Sequence, residues 1–343
     1  MNDIEFLSKY DGPSLRIMEV CGTHTSAIFK SGIRSFLSPK IKLVSGPGCP
    51  VCVTVPGYID ECIKLSLLPE HEIVCFGDLL KIPGTEQTLS DAKSIGGCAH
   101  MVWSPFETIE LAKQNPETTF VVTAIGFETT APAFALLIEE CEEQGVDNIK
   151  IITSLKSAMS AIDWICAAGE DIDAFLCPGH VSVITGADAF LPLAEKYMKP
   201  FVVAGFEGEH LISAIRTAAE DAANGNVGVR NLYPEAVSAS GNQKAKDIIE
   251  RYFDLGDADW RGLGMVPSSG YFLKPGKGVS YEIAAQVSVS SPLPDGCRCG
   301  DVILGRIDPN ECPLFGKRCS PSDAVGPCMV SSEGACGIWY SGT

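Results

Sequence analysis

Six short runs of apolar and β-branched residues recur along the first two hundred positions. They are Ile17–Val20, Ile41–Val44, Ile73–Phe76, Phe120–Thr123, Ile149–Ile152 and Phe201–Ala204. Between them apolar residues repeat at helical spacing, as in Ala131, Phe134, Leu137, Ile138 and Cys141. Buried strands alternating with amphipathic helices are the pattern of parallel α/β sheets. A chain of 343 residues also exceeds one simple core and suits two or three domains.

A faint internal repeat points to two similar α/β halves. A strand, Pro47-Gly48-Cys49, Thr54 and a helix resemble a strand, Pro178-Gly179-His180, Thr185 and a helix. Likewise Cys21-Gly22-Thr23-His24-Thr25 and Gly126-Phe127-Glu128-Thr129-Thr130 each follow a strand and open a helix. The Asn115-Pro116 step breaks the helix before it and marks a boundary. Beyond about residue 225 the character changes. One more amphipathic helix is expected over Ser240–Asp254, and from Gly256 onward Gly, Pro and Ser dominate. The expected division is therefore 1–116 and 117–225 as α/β domains, and 226–343 as a helical, loop-rich third domain.

Charge and targeting narrow the function. With 43 acidic against 26 basic residues, the net charge is −17. Nucleic acid and anionic membrane surfaces repel such a chain. No run of eighteen apolar residues occurs, and Met1-Asn2-Asp3-Ile4-Glu5 lacks the basic start of a signal peptide. A cytoplasmic protein is expected. There, 15 cysteines imply metal or catalysis before structural disulfides.

Six of those cysteines, Cys297, Cys299, Cys312, Cys319, Cys328 and Cys336, fall in the C-terminal segment. Four thiolates hold an iron–sulfur cluster, and ligation would supply folding energy that a loop-rich tail lacks. A four-cysteine zinc staple is the alternative, although paired Cys-x-x-Cys knuckles are missing here. Six thiols leave two spare beside a four-ligand site, which invites dithiol/disulfide exchange. Gly46-Pro47-Gly48-Cys49-Pro50-Val51-Cys52 places a Cys-x-x-Cys at a strand-to-helix turn, where a helix N-terminus stabilises a thiolate. Cys21, at another strand end with His24 three residues on, fits a nucleophile or a metal ligand with a supporting partner. Loops at the carboxyl ends of parallel strands converge, so Cys21, Cys49 and Cys52 are expected to be neighbours. Glu128 faces two readings: a crevice acid, base or acceptor, or a solvated carboxylate at a helix start. Cys62, Cys75, Cys98, Cys141, Cys166 and Cys177 read as packing residues. No P-loop, complete dinucleotide fingerprint or Cys-x-x-x-Cys-x-x-Cys is present.

Taken together these motifs resemble the HypD family of nickel–iron hydrogenase maturation proteins. The resemblance runs nearly end to end through Cys21–Thr25, Gly46–Cys52, Gly126–Pro132 and the tail from Cys297 to Cys336. It implies that Cys297, Cys312, Cys319 and Cys336 hold a 4Fe–4S cluster, with Cys299 and Cys328 as a dithiol beside it. It implies a second redox pair in Cys49 and Cys52. Cys21, oriented by His24, would bind transient iron carrying CN and CO, jointly with a HypC-type chaperone. A HypE-type carrier would deliver cyanide. The implied activity is redox-active assembly of the Fe(CN)2CO centre rather than classical enzymatic turnover, and the chain is expected to be monomeric on its own. A stand-alone 4Fe–4S disulfide reductase or lyase and a zinc-stapled interaction protein are the competing readings.

Overall fold

The computed structural model describes residues 1–277, 279 and 293–342. Its strands are β1 (Leu15–Glu19), β2 (Ile41–Ser45), β3 (His71–Cys75), β4 (Ala99–Met101), β5 (Thr119–Gly126), β6 (Ile149–Lys156), β7 (Ala174–Pro178), β8 (Pro200–Ala204), β9 (Gly228–Asn231), β10 (Phe253–Trp260) and β11 (Gly264–Leu273). The six apolar runs correspond to β1, β2, β3, β5, β6 and β8. One sheet runs β2-β1-β7-β8-β9, with every pair parallel. The other runs β10-β11-β6-β5-β3-β4; its last four strands are parallel, and the β10–β11 hairpin adds antiparallel to β6. The fold is α/β with two predominantly parallel sheets.

The chain forms two compact units, each drawn from separated segments. The first takes Met1–Cys49, Ala158–Gln243 and Leu293–Thr343; the second takes Pro50–Ser157 and Lys244–Pro292. This division departs from contiguous boundaries at 116 and 225, and the 226–343 segment is shared between both units. Periodicity reports that a stretch is a strand but not which sheet it joins. Ile17 of β1, for instance, pairs with Ala174 of β7. The helix expected over Ser240–Asp254 spans Gln243–Tyr252. The stretch after Gly256 that reads as loop instead holds most of the hairpin. Its register shifts between Gly256 and Ala258, and that irregularity breaks the period-two pattern a strand otherwise displays.

Each sheet reverses its winding once, between β1 and β7 in the first unit and between β3 and β5 in the second. Ligands of doubly wound sheets bind outside the carboxyl ends of the strands at that reversal. Cys21 follows β1 and His180 follows β7, while Glu128 follows β5. The sequence thus sets its chemistry-bearing motifs at the two positions where the topology opens a crevice.

The first unit is held by β7 and β8, buried along their whole length, as expected for strands covered on both faces. Helix Gly208–Asn224 lays Leu211, Ala214, Ile215, Ala218 and Ala219 on that core at the i, i+3, i+4, i+7, i+8 spacing of an apolar stripe. It ends at Gly225, whose φ of 67° is the left-handed conformation of a helix C-terminus. Among the described residues no helix is long and apolar enough to cross a membrane. Truncating the fully buried Leu211 to Ala leaves a cavity and should lower stability by about 2–5 kcal/mol. Urea unfolding should show this as a lower midpoint at unchanged m-value.

Candidate functional site

In the first unit β1 ends at Glu19, and Cys21 stands as the extended N-cap residue of helix Gly22–Lys30. Its thiol is buried, and that burial pushes its pKa up. The backbones of His24 and Thr23 pull it back, while the Glu333 carboxylate pushes it higher. Two glycines explain the close packing around it. The Gly22 amide donates to the Gly48 carbonyl at 3.3 Å, and a Cβ on Gly48 would lie 2.7 Å from the Cys21 Cα. A Cβ on Gly22 would run into the Glu333 carbonyl oxygen. Only bare backbone lets the Gly-Pro-Gly turn and the C-terminal segment both reach the Cys21 helix.

His24 is fully buried. Its Nε2 donates to the Ala204 carbonyl at 3.2 Å, and its Nδ1 has no hydrogen-bond partner. The ring therefore bonds the end of β8, and only its backbone acts on Cys21. Burial lowers its pKa to about 4, so the imidazole is neutral at physiological pH. His180, just past the end of β7, stacks on Phe206 at 4.0 Å, and His24 packs against the same ring at 5.0 Å.

A buried carboxylate, Glu19, pairs with the half-buried Arg34. Arg34 Nη2 donates to Glu19 Oε1 at 2.7 Å, and Ser45 Oγ donates to the same oxygen at 3.1 Å. The guanidinium also lies 5.3 Å from the Phe29 ring and 5.1 Å from the Trp339 ring. Phe29 belongs to the Cys21 helix and Trp339 to helix Ala335–Gly342, which begins beside Cys336. One arginine thus ties the two cysteine-bearing helices together. Sequence reasoning missed it, because a single Arg after a helix looks like any solvated charge.

All six C-terminal cysteines line one pocket, together with Leu314, Phe315, Gly326 and Met329. A Cβ on Gly326 would stand 2.8 Å from Cys297 Sγ, so that glycine keeps the cavity open. Burial, reinforced by neighbouring thiols, pushes Cys297 up to about 11. Cys299 and Cys336 both hydrogen-bond to Cys328, which raises their own pKa and holds Cys328 below the ordinary thiol value. Among the described residues no three His, Cys, Asp or Glu side chains close around one point as ligands of a single ion do. The thiols instead surround a volume.

Cys49 and Cys52 are disulfide-bonded and buried. The next helix starts only at Pro56, so the pair occupies a turn ahead of the helix rather than its first turn. Cys49, next to Gly48, belongs to the first unit with Cys21, while Cys52 opens into the second. Glu128, in the second unit, is buried rather than solvated. It accepts from Ser157 Oγ at 2.9 Å and is bonded by the Tyr271 hydroxyl. Of the cysteines expected to pack, Cys62, Cys75, Cys141 and Cys177 are buried and Cys166 is half-buried. Cys98 is exposed, a correction to its reading as a packing residue. It sits in the glycine-rich turn before β4, where local pattern does not report burial.

Fold and site together define an α/β protein in which a thiol-lined chamber packs against the helix that Cys21 caps. The family model described as "HypD: Hydrogenase formation hypA family" matches residues 1–342. The chain belongs to the HypD family and is a hydrogenase maturation factor. It is 39% identical over 340 residues to the hydrogenase maturation factor HypD of Escherichia coli (strain K12), covering 95% of this chain and 88% of that one. The HypD of Azotobacter vinelandii is 38% identical over 336 residues, covering 95% and 89%. A putative hydrogenase expression/formation protein of Methanocaldococcus jannaschii is 39% identical over 328 residues, covering 95% and 91%.

The buried neutral His24 makes stability depend on pH. Its pKa is lower folded than unfolded, so the unfolded chain takes up the extra proton. Stability should fall as pH drops from about 6.5 towards about 4, by roughly 3 kcal/mol across the window. Burial raises Glu19, which works in the opposite direction. The effect is therefore read as the difference between the native chain and His24→Gln in urea unfolding at pH 7.5 and pH 5, with the variant losing less on acidification.

Proposed function

We propose that this maturation factor is the redox-active scaffold on which the iron centre of nickel–iron hydrogenase receives its cyanide and carbon monoxide ligands. The observation that carries the reading is the joining of two thiol sites in one unit. The chamber of six cysteines packs, through Gly22, Glu333 and Arg34, directly onto the helix that bears Cys21.

The chamber suits a 4Fe–4S cluster. Six thiols share one lining, two more than a cluster's four ligands, apolar Leu314, Phe315 and Met329 shield it, and Gly326 leaves room beside Cys297. Cys297, Cys312, Cys319 and Cys336 would hold the cluster, which when bound supplies single electrons. Cys299 and Cys328, already in hydrogen-bond contact, form the adjoining dithiol. Cys328 also touches Cys336, so this pair lies against a cluster ligand. Cys49 and Cys52 form a second dithiol/disulfide that leads back to Gly48 and Cys21.

Cys21 takes the iron as substrate, with a small HypC-type chaperone providing a further ligand and a HypE-type carrier delivering cyanide. Soft thiolate sulfur suits low-spin iron bearing such ligands. The Cys21 thiol, raised by burial, stays protonated until the metal displaces its proton. Neutral His24 keeps Nε2 on Ala204, and its Nδ1 is buried without a partner. Glu128, held by Ser157 and Tyr271, fixes the end of β5 in the second unit.

Anaerobic purification should yield about four irons and four sulfides per chain. Cys297→Ala or Cys336→Ala should bleach the visible absorption and lower the melting temperature. Cys21→Ala should keep the cluster but lose the infrared CN and CO bands of the complex co-purified with the chaperone. Absence of those bands from an iron-loaded native complex, taken from maturation-competent cells, would overturn the assignment. Turnover of a small substrate without partners would select a stand-alone reductase or lyase instead.

A further inference from the structure

The second unit contains a buried cation that the scheme above leaves unused. Lys156, the last residue of β6, is only 6% exposed. Its Nζ donates to the Asp259 backbone carbonyl at 2.9 Å and lies 5.9 Å from the Trp260 ring centre. Among the described residues no carboxylate lies within ion-pairing distance of it. The Asp259 carboxyl acts on it only from farther off and is itself pushed towards the neutral form by burial. Arg261, buried next to Trp260, adds a second cation to the neighbourhood and donates to the Pro83 carbonyl at 3.0 Å. A buried charge without a counter-charge is costly, so such a group either sheds its proton or takes an anion. Burial has already drawn this ammonium down to about 8.

The surroundings favour the anion. Side chains two apart on a strand share a face, so Ser154 lies on the same side of β6 as Lys156. Ser154 Oγ meets Thr54 Oγ1 at 3.2 Å, and the Tyr58 hydroxyl donates to the Ile152 carbonyl at 2.9 Å. These contacts bring the start of helix Pro56–Ser66 over the carboxyl end of β6. That helix has no side-chain cap, so the positive end of its dipole is added to the ammonium. The location is also on the carboxyl-end side of the sheet, one strand beyond the reversal between β3 and β5.

We propose that Lys156, flanked by Ser154 and Thr54, seats a small, weakly hydrated monoanion at the carboxyl end of β6. One ammonium balances one negative charge. The near-complete burial selects an anion that gives up its water cheaply, which favours thiocyanate-like pseudohalides over phosphate or carboxylates. A role for this seat in handling the cyanide equivalent rests on the function proposed above; anion binding itself does not.

The test uses the full chain without iron or partners and [13C]thiocyanate as probe, followed by equilibrium dialysis and the infrared C≡N stretch. The native protein should bind saturably with a displaced C≡N band, and Lys156→Arg should retain binding. Lys156→Met should weaken binding about tenfold or more, with an unchanged circular dichroism spectrum showing that it folds. Cys21→Ala should bind as the native chain does, which separates this site from the iron site. Non-saturable uptake by the native chain, equal affinity in Lys156→Met, or equal competition by phosphate would overturn the proposal.

Discussion

Backbone lying directly on backbone is the constraint on which the first unit depends. Gly48 rests on Cys21, and Gly22 rests on Glu333, at separations that leave no space for a Cβ. These contacts bring three distant stretches of chain to one point: the end of β1, the turn after β2 and the segment leading into the last helix. Each stretch bears a cysteine motif. Glycine there is not a hinge but the absence of a side chain at the one place where a side chain would separate the thiols. The Glu19–Arg34 pair fixes the same junction from below. Its guanidinium lies against both Phe29 and Trp339, whose rings meet edge to face at 5.0 Å.

Burial governs the chemistry of the site more than charge does. Cys21, Cys297 and the Cys299–Cys328–Cys336 group all lie where thiolate is disfavoured by lack of water, and only neighbouring hydrogen bonds pull Cys328 the other way. His24 is held neutral for the same reason. Apart from Cys328, these thiols are therefore held protonated. Incoming metal is a natural trigger, because it replaces a proton that the site otherwise keeps.

The parts of this arrangement visible in the sequence were those written over a few adjacent residues. Apolar runs announced β1, β2, β3, β5, β6 and β8, and the Cys21, Cys49/Cys52 and tail motifs were placed at or near strand ends or in loops. The hairpin β10–β11 was hidden by its register shift, and the domain boundaries were hidden because strand pairing joins residues as distant as Ile17 and Ala174. Arg34 and Lys156 escaped for a related reason. A charged side chain has the same local signature whether it is solvated or enclosed, and only the packing of remote segments decides which. The spacing of His24 from Cys21 suggests a side chain that orients the thiol, but the ring bonds Ala204 of β8 instead, a contact across 180 residues that no local pattern reports.

The interleaving of the two units also sets a timetable for synthesis. The ribosome releases β1 and β2 first, yet their sheet lacks its centre until β7 and β8 emerge after residue 174. During that interval the parallel core of the second unit, β3 to β6, is already complete in sequence. The first unit must then wait again for residues 293–343 before the Cys21 helix gains its cover. Contacts this remote close slowly and leave apolar strand edges open meanwhile. The newborn chain therefore passes through a stage in which its earliest thiol is made, unshielded and without its companions.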